Sequence, residues 1–267
     1  MKRSKFLFWT GVSFLGLLIV FALVGPTMRH NYLDAAGRPF MPPGSEYWLG
    51  TDEQGRDIFA RLAYGARMSL LVGISVQLIS LTIGTLVGVL GVFAPKCIRE
   101  PLLRLTDGMF AFPDILLAIL IIGVWSTGLI PIIVALSLTS WPAVARIVKT
   151  QVASLKDREF VVASRALGAP IGYTVRRHIL PHLAGILAAV AMVDLAGTIL
   201  AESALSFLGI GITPPTPSWG SMINDSRAYL NSNPMMLVWP CLVLSLAIFS
   251  LNFVGDELRA ALDPKDR

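Results

Sequence analysis

Charged side chains are scarce in this chain of 267 residues: 15% are Asp, Glu, Lys or Arg, against about 25% in an ordinary soluble domain. Hydrophobic residues make up 54% and the mean hydropathy is +0.68. This balance argues against a soluble globular fold and for a polytopic membrane protein. Cysteine is nearly absent. Cys97 falls in a basic loop and Cys241 inside an apolar run, so neither a disulfide framework nor a C-x-x-C site is present. There is no G-x-x-x-x-G-K-[ST] loop, which excludes ATP binding of the P-loop kind by this chain alone. Neither G-x-S-x-G nor H-E-x-x-H occurs, and no catalytic residue is assigned. His178 and His182 are four apart and could share a helix face. Pro181 lies between them and no third ligand is near, so the pair reads as structural and no metal site is expected.

The net charge of +5 and pI near 9.5 would suggest nucleic acid in a soluble protein. Here the basic residues gather at one set of span ends, which is an orientation signal. Six transmembrane spans are expected. The first is Phe6–Val24, an uncleaved helix whose basic start (Lys2, Arg3, Lys5) lies in the cytoplasm. Residues 26–67 are polar and rich in proline and glycine, and form an extracytoplasmic segment. Spans at Met68–Phe93, Leu105–Trp125, Ile130–Val148, His182–Phe207 and Met235–Val254 make a core over 68–256. A second outer segment covers 208–235, and a cytoplasmic tail covers 257–267. Gly84 and Gly88 in the second span form a small-x-x-x-small pattern that allows close helix approach. Acidic residues within spans are costly and point to protein or water. Asp114, Asp194 and Glu202 are therefore candidates to line or gate a pathway, and buried structural hydrogen bonding is the competing reading.

The longest polar interruption is Asp157–Pro181, within an inner loop over 150–181. A short helix near Phe160–Leu167 is broken by Gly168, Pro170 and Gly172, and a second short segment leads into the next span. Two short helices at a glycine bend, carrying Arg158, Arg165, Arg176 and Arg177, make a basic knuckle. Such a knuckle suits docking of a partner protein; an ordinary loop held at lipid headgroups is the alternative.

Val162-Ala163-Ser164-Arg165-Ala166-Leu167-Gly168, followed after nine residues by His178-Ile-Leu180-Pro181, resembles the E-A-A-x3-G-x9-I-x-L-P loop of ABC importer permeases. It departs at Val162, where the family has glutamate, and at His178, where isoleucine is common. Gly50-Thr51-Asp52-Glu53-Gln54-Gly55-Arg56-Asp57 is similar to the G-T-D-x-x-G-R-D element of the peptide and nickel permeases. Ala201–Gly209, Pro214–Gly220 and Asn252–Arg259 resemble segments of their C-type subunit.

The resemblance implies an all-α membrane protein with the type I ABC importer (MetI-like) permease fold. It implies a homologous B-type permease, two cytoplasmic ABC ATPases that bind the ATP and Mg, and an extracytoplasmic substrate-binding protein; no cofactor is expected in this chain. By the same resemblance, 162–169 with Leu180 and Pro181 would couple to an ATPase. Gly50, Thr51, Asp52, Gly55, Arg56, Asp57 and Trp219 would belong to the surface that meets the binding protein. The location implied is a bacterial inner membrane with both termini cytoplasmic. The expected cargo is short peptides, with nickel or a metal chelate as the alternative within the family. A secondary transporter working alone is the alternative outside it.

Overall fold

Long apolar runs with few breakers dictate helices, and the breakers dictate where they stop. The computed structural model describes residues 2–262, with side chains for 7–260. The expectations for the basic side chains at positions 2, 3 and 5, and for residues 263–267, fall outside that description. The helices are α1 (Lys2–Val24), α2 (Ile58–Phe93), α3 (Lys96–Met109), α4 (Asp114–Trp125), α5 (Leu129–Leu155), α6 (Glu159–Ala166), α7 (Ile171–Thr174), α8 (Leu180–Phe207), α9 (Trp219–Ser226) and α10 (Met235–Leu262). A π-helical turn over Val175–Ile179 joins α7 to α8. Five stretches are long and apolar enough to cross a membrane, and a sixth exists if α3 and α4 count as one bent span. The chain is a multi-pass membrane protein.

Its outward faces suit lipid: Leu17, Leu23, Leu78, Leu86 and Phe249 are all at least 60% exposed. Three apolar clusters hold the helices together. At one end Leu18, Ile58, Leu62, Trp219 and Met236 join α1, α2, α9 and α10. In the middle Val72, Val76, Ile122, Ile132 and Leu205 join α2, α4, α5 and α8. At the opposite end Val148, Val152, Val161, Ile179 and Leu183 seat the segment after α5. That end carries the 159–181 knuckle and is called the knuckle end below.

The small-x-x-x-small pattern is the seam between α2 and α5. A Cβ on Gly84 would lie 2.6 Å from Val144 Cβ, and one on Gly88 the same distance from Val148 Cβ. Both glycines are thus spacers that bring two backbones together.

Two expectations need correction. The third span is not one helix over Leu105–Trp125, and the basic stretch holding Cys97 is not a loop. Residues 96–109 are helical, the chain breaks before Pro113, and α4 leaves at 95° to α3. Proline disfavours a helical residue before it and supplies no N–H, so a new helix starts there rather than continuing the old one. Asp114 consequently sits not in mid-helix but in the first turn of α4, where a carboxylate opposes the helix dipole. The fifth span is also longer than His182–Phe207: its helical path starts at Ile171, and Gly172 is absorbed within it.

Candidate functional site

At the knuckle, α6 ends because Gly168 adopts φ +80°. Gly168 N–H donates to Arg165 O at 3.0 Å and Ala169 N–H to Ser164 O at 3.2 Å, a Schellman closure that glycine favours at this position. Pro170 then starts α7. The two arms are pinned by the buried Ser164 and Thr174 hydroxyls, 3.1 Å apart. Phe160 stacks on the His182 ring at 4.7 Å, so that histidine serves packing. Val161 and Ile179 fill the inward face completely.

What points away is apolar as well as basic. Leu167 is 89% exposed, with Val162, Ile171 and Tyr173 around half exposed. Ala163, Arg165, Ala166, Pro181, Arg176 and Arg177 are also exposed, and Ala169 and Leu180 half-buried. A leucine held out at the tip of a hydrogen-bonded bend marks an interaction surface. The family-pattern glutamate position, Val162, adds to this apolar face.

At the far end the G-T-D-x-x-G-R-D stretch folds into a closed unit. Gly50 and Gly55 have positive φ, and an added Cβ would run into the Met41 and Gly37 carbonyls. Thr51 Oγ1 donates to Arg38 O and accepts from Met41 N–H at 2.8 Å. Asp57 Oδ1 accepts from Phe59 N–H at 2.8 Å, capping α2, and its Oδ2 lies 2.9 Å from His30 Nδ1. Asp52 accepts from the Gln54 and Arg56 N–H groups and from Arg56 Nε at 2.6 Å. Arg61 Nε reaches the same carboxylate at 3.3 Å, and Arg61 Nη2 lies 3.7 Å from Asp225. Burial pushes the Glu53 and Asp225 carboxyls above the usual range, and Arg56 and Arg61 partly oppose this.

This geometry changes how the expected docking residues are read. Thr51, Asp52, Arg56, Asp57 and Trp219 are buried, as are Gly50 and Gly55. They cannot themselves touch a partner in this conformation; they hold the segment over 28–57 together. Trp219 Nε1 donates to Leu62 O at 3.3 Å, which ties α9 to α2.

Glu202 is completely buried. Its carboxylate accepts from Ser69 at 3.0 Å, Ser206 at 2.8 Å and Ser203 at 3.4 Å, and Ser206 Oγ in turn accepts from Ile212 N–H. Glu202 therefore does not line a pathway in this structure; it clasps α2 to the end of α8. Glu202→Ala is expected to cost about 2 kcal/mol through loss of charge-assisted bonds, read as a lower unfolding temperature in detergent. A variant of unchanged stability that no longer transports would return Glu202 to the pathway. Asp194 lies mid-helix and half-buried, and Asp114 is exposed.

Sequence reading missed Arg61, Asp225, His30 and the serines around Glu202. Arg61 carried a weak signal, an arginine one turn into an apolar helix. His30, Asp225 and Ser69 carried none, because their partners lie far along the chain; Ser203 and Ser206 stand beside Glu202 in the sequence and were legible as one turn of the same helix.

The model of the binding-protein-dependent transport system inner membrane component matches residues 80–267. The dipeptide transport system permease protein DppC of Bacillus subtilis is 37% identical over all of this chain and 84% of its own length. The oligopeptide permease OppC of the same organism is 36% identical over 99% of this chain and 88% of its own. OppC of Haemophilus influenzae is 39% identical over 83% of this chain. Among solved structures, an inward-facing form of the MetNI methionine ABC transporter superposes with a TM-score of 0.63. It covers 76% of this chain and 96% of the other at 21% identity, a likeness of fold. With the family model and near-full-length relatives in agreement, the chain is a member of the binding-protein-dependent transport system inner membrane components.

Proposed function

We propose that the chain is the C-type permease subunit of an ATP-driven importer of short peptides. The observation that carries the reading is the pairing of near-full-length similarity to dipeptide and oligopeptide permeases with the exposed Leu167 tip. The relatives' cargo favours peptides over a nickel chelate, and the projecting knuckle favours a partnered machine over a secondary transporter working alone.

In this reading a homologous B-type permease completes the pathway, and two cytoplasmic ATPases bind ATP and Mg. The knuckle faces the cytoplasm, so both termini do too. Leu167 enters a groove of one ATPase while Arg165, Arg176 and Arg177 meet acidic groups around it. Closure of the ATPase dimer moves the knuckle. Because α5, α6 and α8 share one buried cluster, that motion passes into the spans as a two-state rocking. Asp114 and Asp194, neither of them buried, are the acids available to the pathway. The far-end segment, kept rigid by Asp52, Arg56 and Asp57, presents its exposed rim to the binding protein.

Leu167→Asp puts a charge where the reading requires burial. ATPase co-purification with the variant should fall by about tenfold or more, as for a truncated anchor residue at an interface. Membrane insertion should be unchanged. Undiminished ATPase recovery would remove the tip from the contact. Stimulation of the assembled ATPase by peptide-loaded binding protein, against the empty and nickel-chelate-loaded forms, tests the cargo.

A further inference from the structure

The first outer segment, the start of α2 and α9 meet at a charged junction. It brings together Asp52, Glu53 and Arg56 from the G-T-D-x-x-G-R-D stretch, Arg61 from α2 and Asp225 from α9. The direct contacts leave two atoms over. Arg56 Nη2 reaches Glu53 Oε1 at 3.2 Å, but Glu53 Oε2 is buried and has no hydrogen-bond partner among the described residues. Arg61 uses Nε on Asp52 and holds Nη2 3.7 Å from Asp225. Its Nη1 is buried and equally without a partner, on a side chain only 6% exposed. One is a spare acceptor, the other a spare donor.

Both residues line a single cavity of about 10 Å³, whose walls include Asp225 and Ser226 of α9 and the apolar Ile58 and Met222. That volume admits one water molecule and little more. Ser226 Oγ donates to Met222 O at 2.6 Å, and its own lone pairs are left for a second bond. Charge narrows the occupant further. A cation would stand against the Arg61 guanidinium, and an anion against the carboxylates of Glu53 and Asp225. What fits is a neutral molecule that donates and accepts at once.

We propose that this cavity binds one water molecule, which accepts from Arg61 Nη1 and donates to Glu53 Oε2 and to Asp225. Buried waters of this kind satisfy groups that the chain leaves over, with two to four bonds each. Because those groups come from the first outer segment, α2 and α9, the water joins elements that lie far apart in the sequence. It adds a polar link to the apolar one nearby, where the Phe40 and Tyr229 rings lie 4.9 Å apart. The two outer segments are thereby held as one body. That their surface meets a binding protein rests on the function proposed above; the hydration site does not.

The test is a structure of the full-length chain, purified with its co-expressed partners, at a resolution that shows ordered waters. One water is expected at about 2.7–3.2 Å from both Arg61 Nη1 and Glu53 Oε2. Ordered side chains with no density between them, or in direct contact with each other, would overturn the proposal. Protease cutting of the segment over 28–57 gives a second reading, whose sign differs between a wet and a dry cavity. Ser226→Thr keeps the hydroxyl and adds a methyl group on the cavity wall. With water bound, that methyl displaces it and strands Arg61 Nη1 and Glu53 Oε2, so cutting should rise about fivefold or more. In a dry cavity the same methyl fills a void, and cutting should stay level or fall. Ser226→Ala, which leaves the water its room, should be cut like the wild type. A Ser226→Thr variant cut no faster than Ser226→Ala would overturn the proposal.

Discussion

Asp52→Ala is expected to be the most damaging single change at the far end. Asp52, Arg56 and Arg61 are 4%, 8% and 5% exposed, and the Asp52 carboxylate is shared by both arginines and two backbone N–H groups. Removing it strands the Arg61 guanidinium and leaves Arg56 only its contact with Glu53 at 3.2 Å, and breaking a buried pair in this way costs about 3–5 kcal/mol. Asp225 does not compensate for Arg61, since its carboxylate lies 3.7 Å away and is 40% exposed. The expected result is a segment over 28–57 that proteases cut in otherwise intact, inserted protein. Asp34→Ala, at an exposed position, should change cleavage little. Equal resistance of the Asp52 variant and the wild type would show that the segment is held by its apolar contacts instead.

The second large effect is expected at the α2–α5 seam. In Gly84→Val and Gly88→Val the new Cβ would stand 2.6 Å from Val144 or Val148, and within 2.9 Å of the Trp141 O or Ala145 O atoms. The obstacle in each case includes backbone, so no rotamer change relieves it. Each substitution should cost about 1–3 kcal/mol, as overpacking does. Because the sites are one turn apart on one seam, the pair should separate the helices together and fall short of the sum of the singles. Alanine at Gly16 or Gly123, where an added Cβ meets nothing within 4 Å, is the matched control. Thermal unfolding in detergent reads the difference. Valine variants as stable as the controls would mean that α2 and α5 slide freely.

Most of the architecture was legible along the chain because membrane helices declare themselves through length and apolarity, which are local properties. The glycine seam was legible for the same reason, as was the bend at Gly168, where proline and glycine follow a short amphipathic run. The third span was misread. Its composition is apolar enough to cross, and only Pro113 marked the place where α4 turns away from α3. The G-T-D-x-x-G-R-D stretch was recognised but its physics was not. A pattern of glycine, aspartate and arginine at fixed spacing reads equally well as a surface or as a buried staple. The choice depends on what closes over it.

Composition and order in the sequence were enough for a polytopic helical protein, for the knuckle between α5 and α8, and for the family resemblance, since each rests on neighbouring residues. Tertiary structure alone decided that Glu202 is buried and bonded to serines of α2 and α8, that Asp52 answers to Arg61, and that Arg146 and Lys149 share a cleft with α3. In each case the deciding quantity is burial or a distance between residues on different helices. Neither is set until the apolar faces have packed, because a charge is paired, solvated or stranded according to what stands beside it.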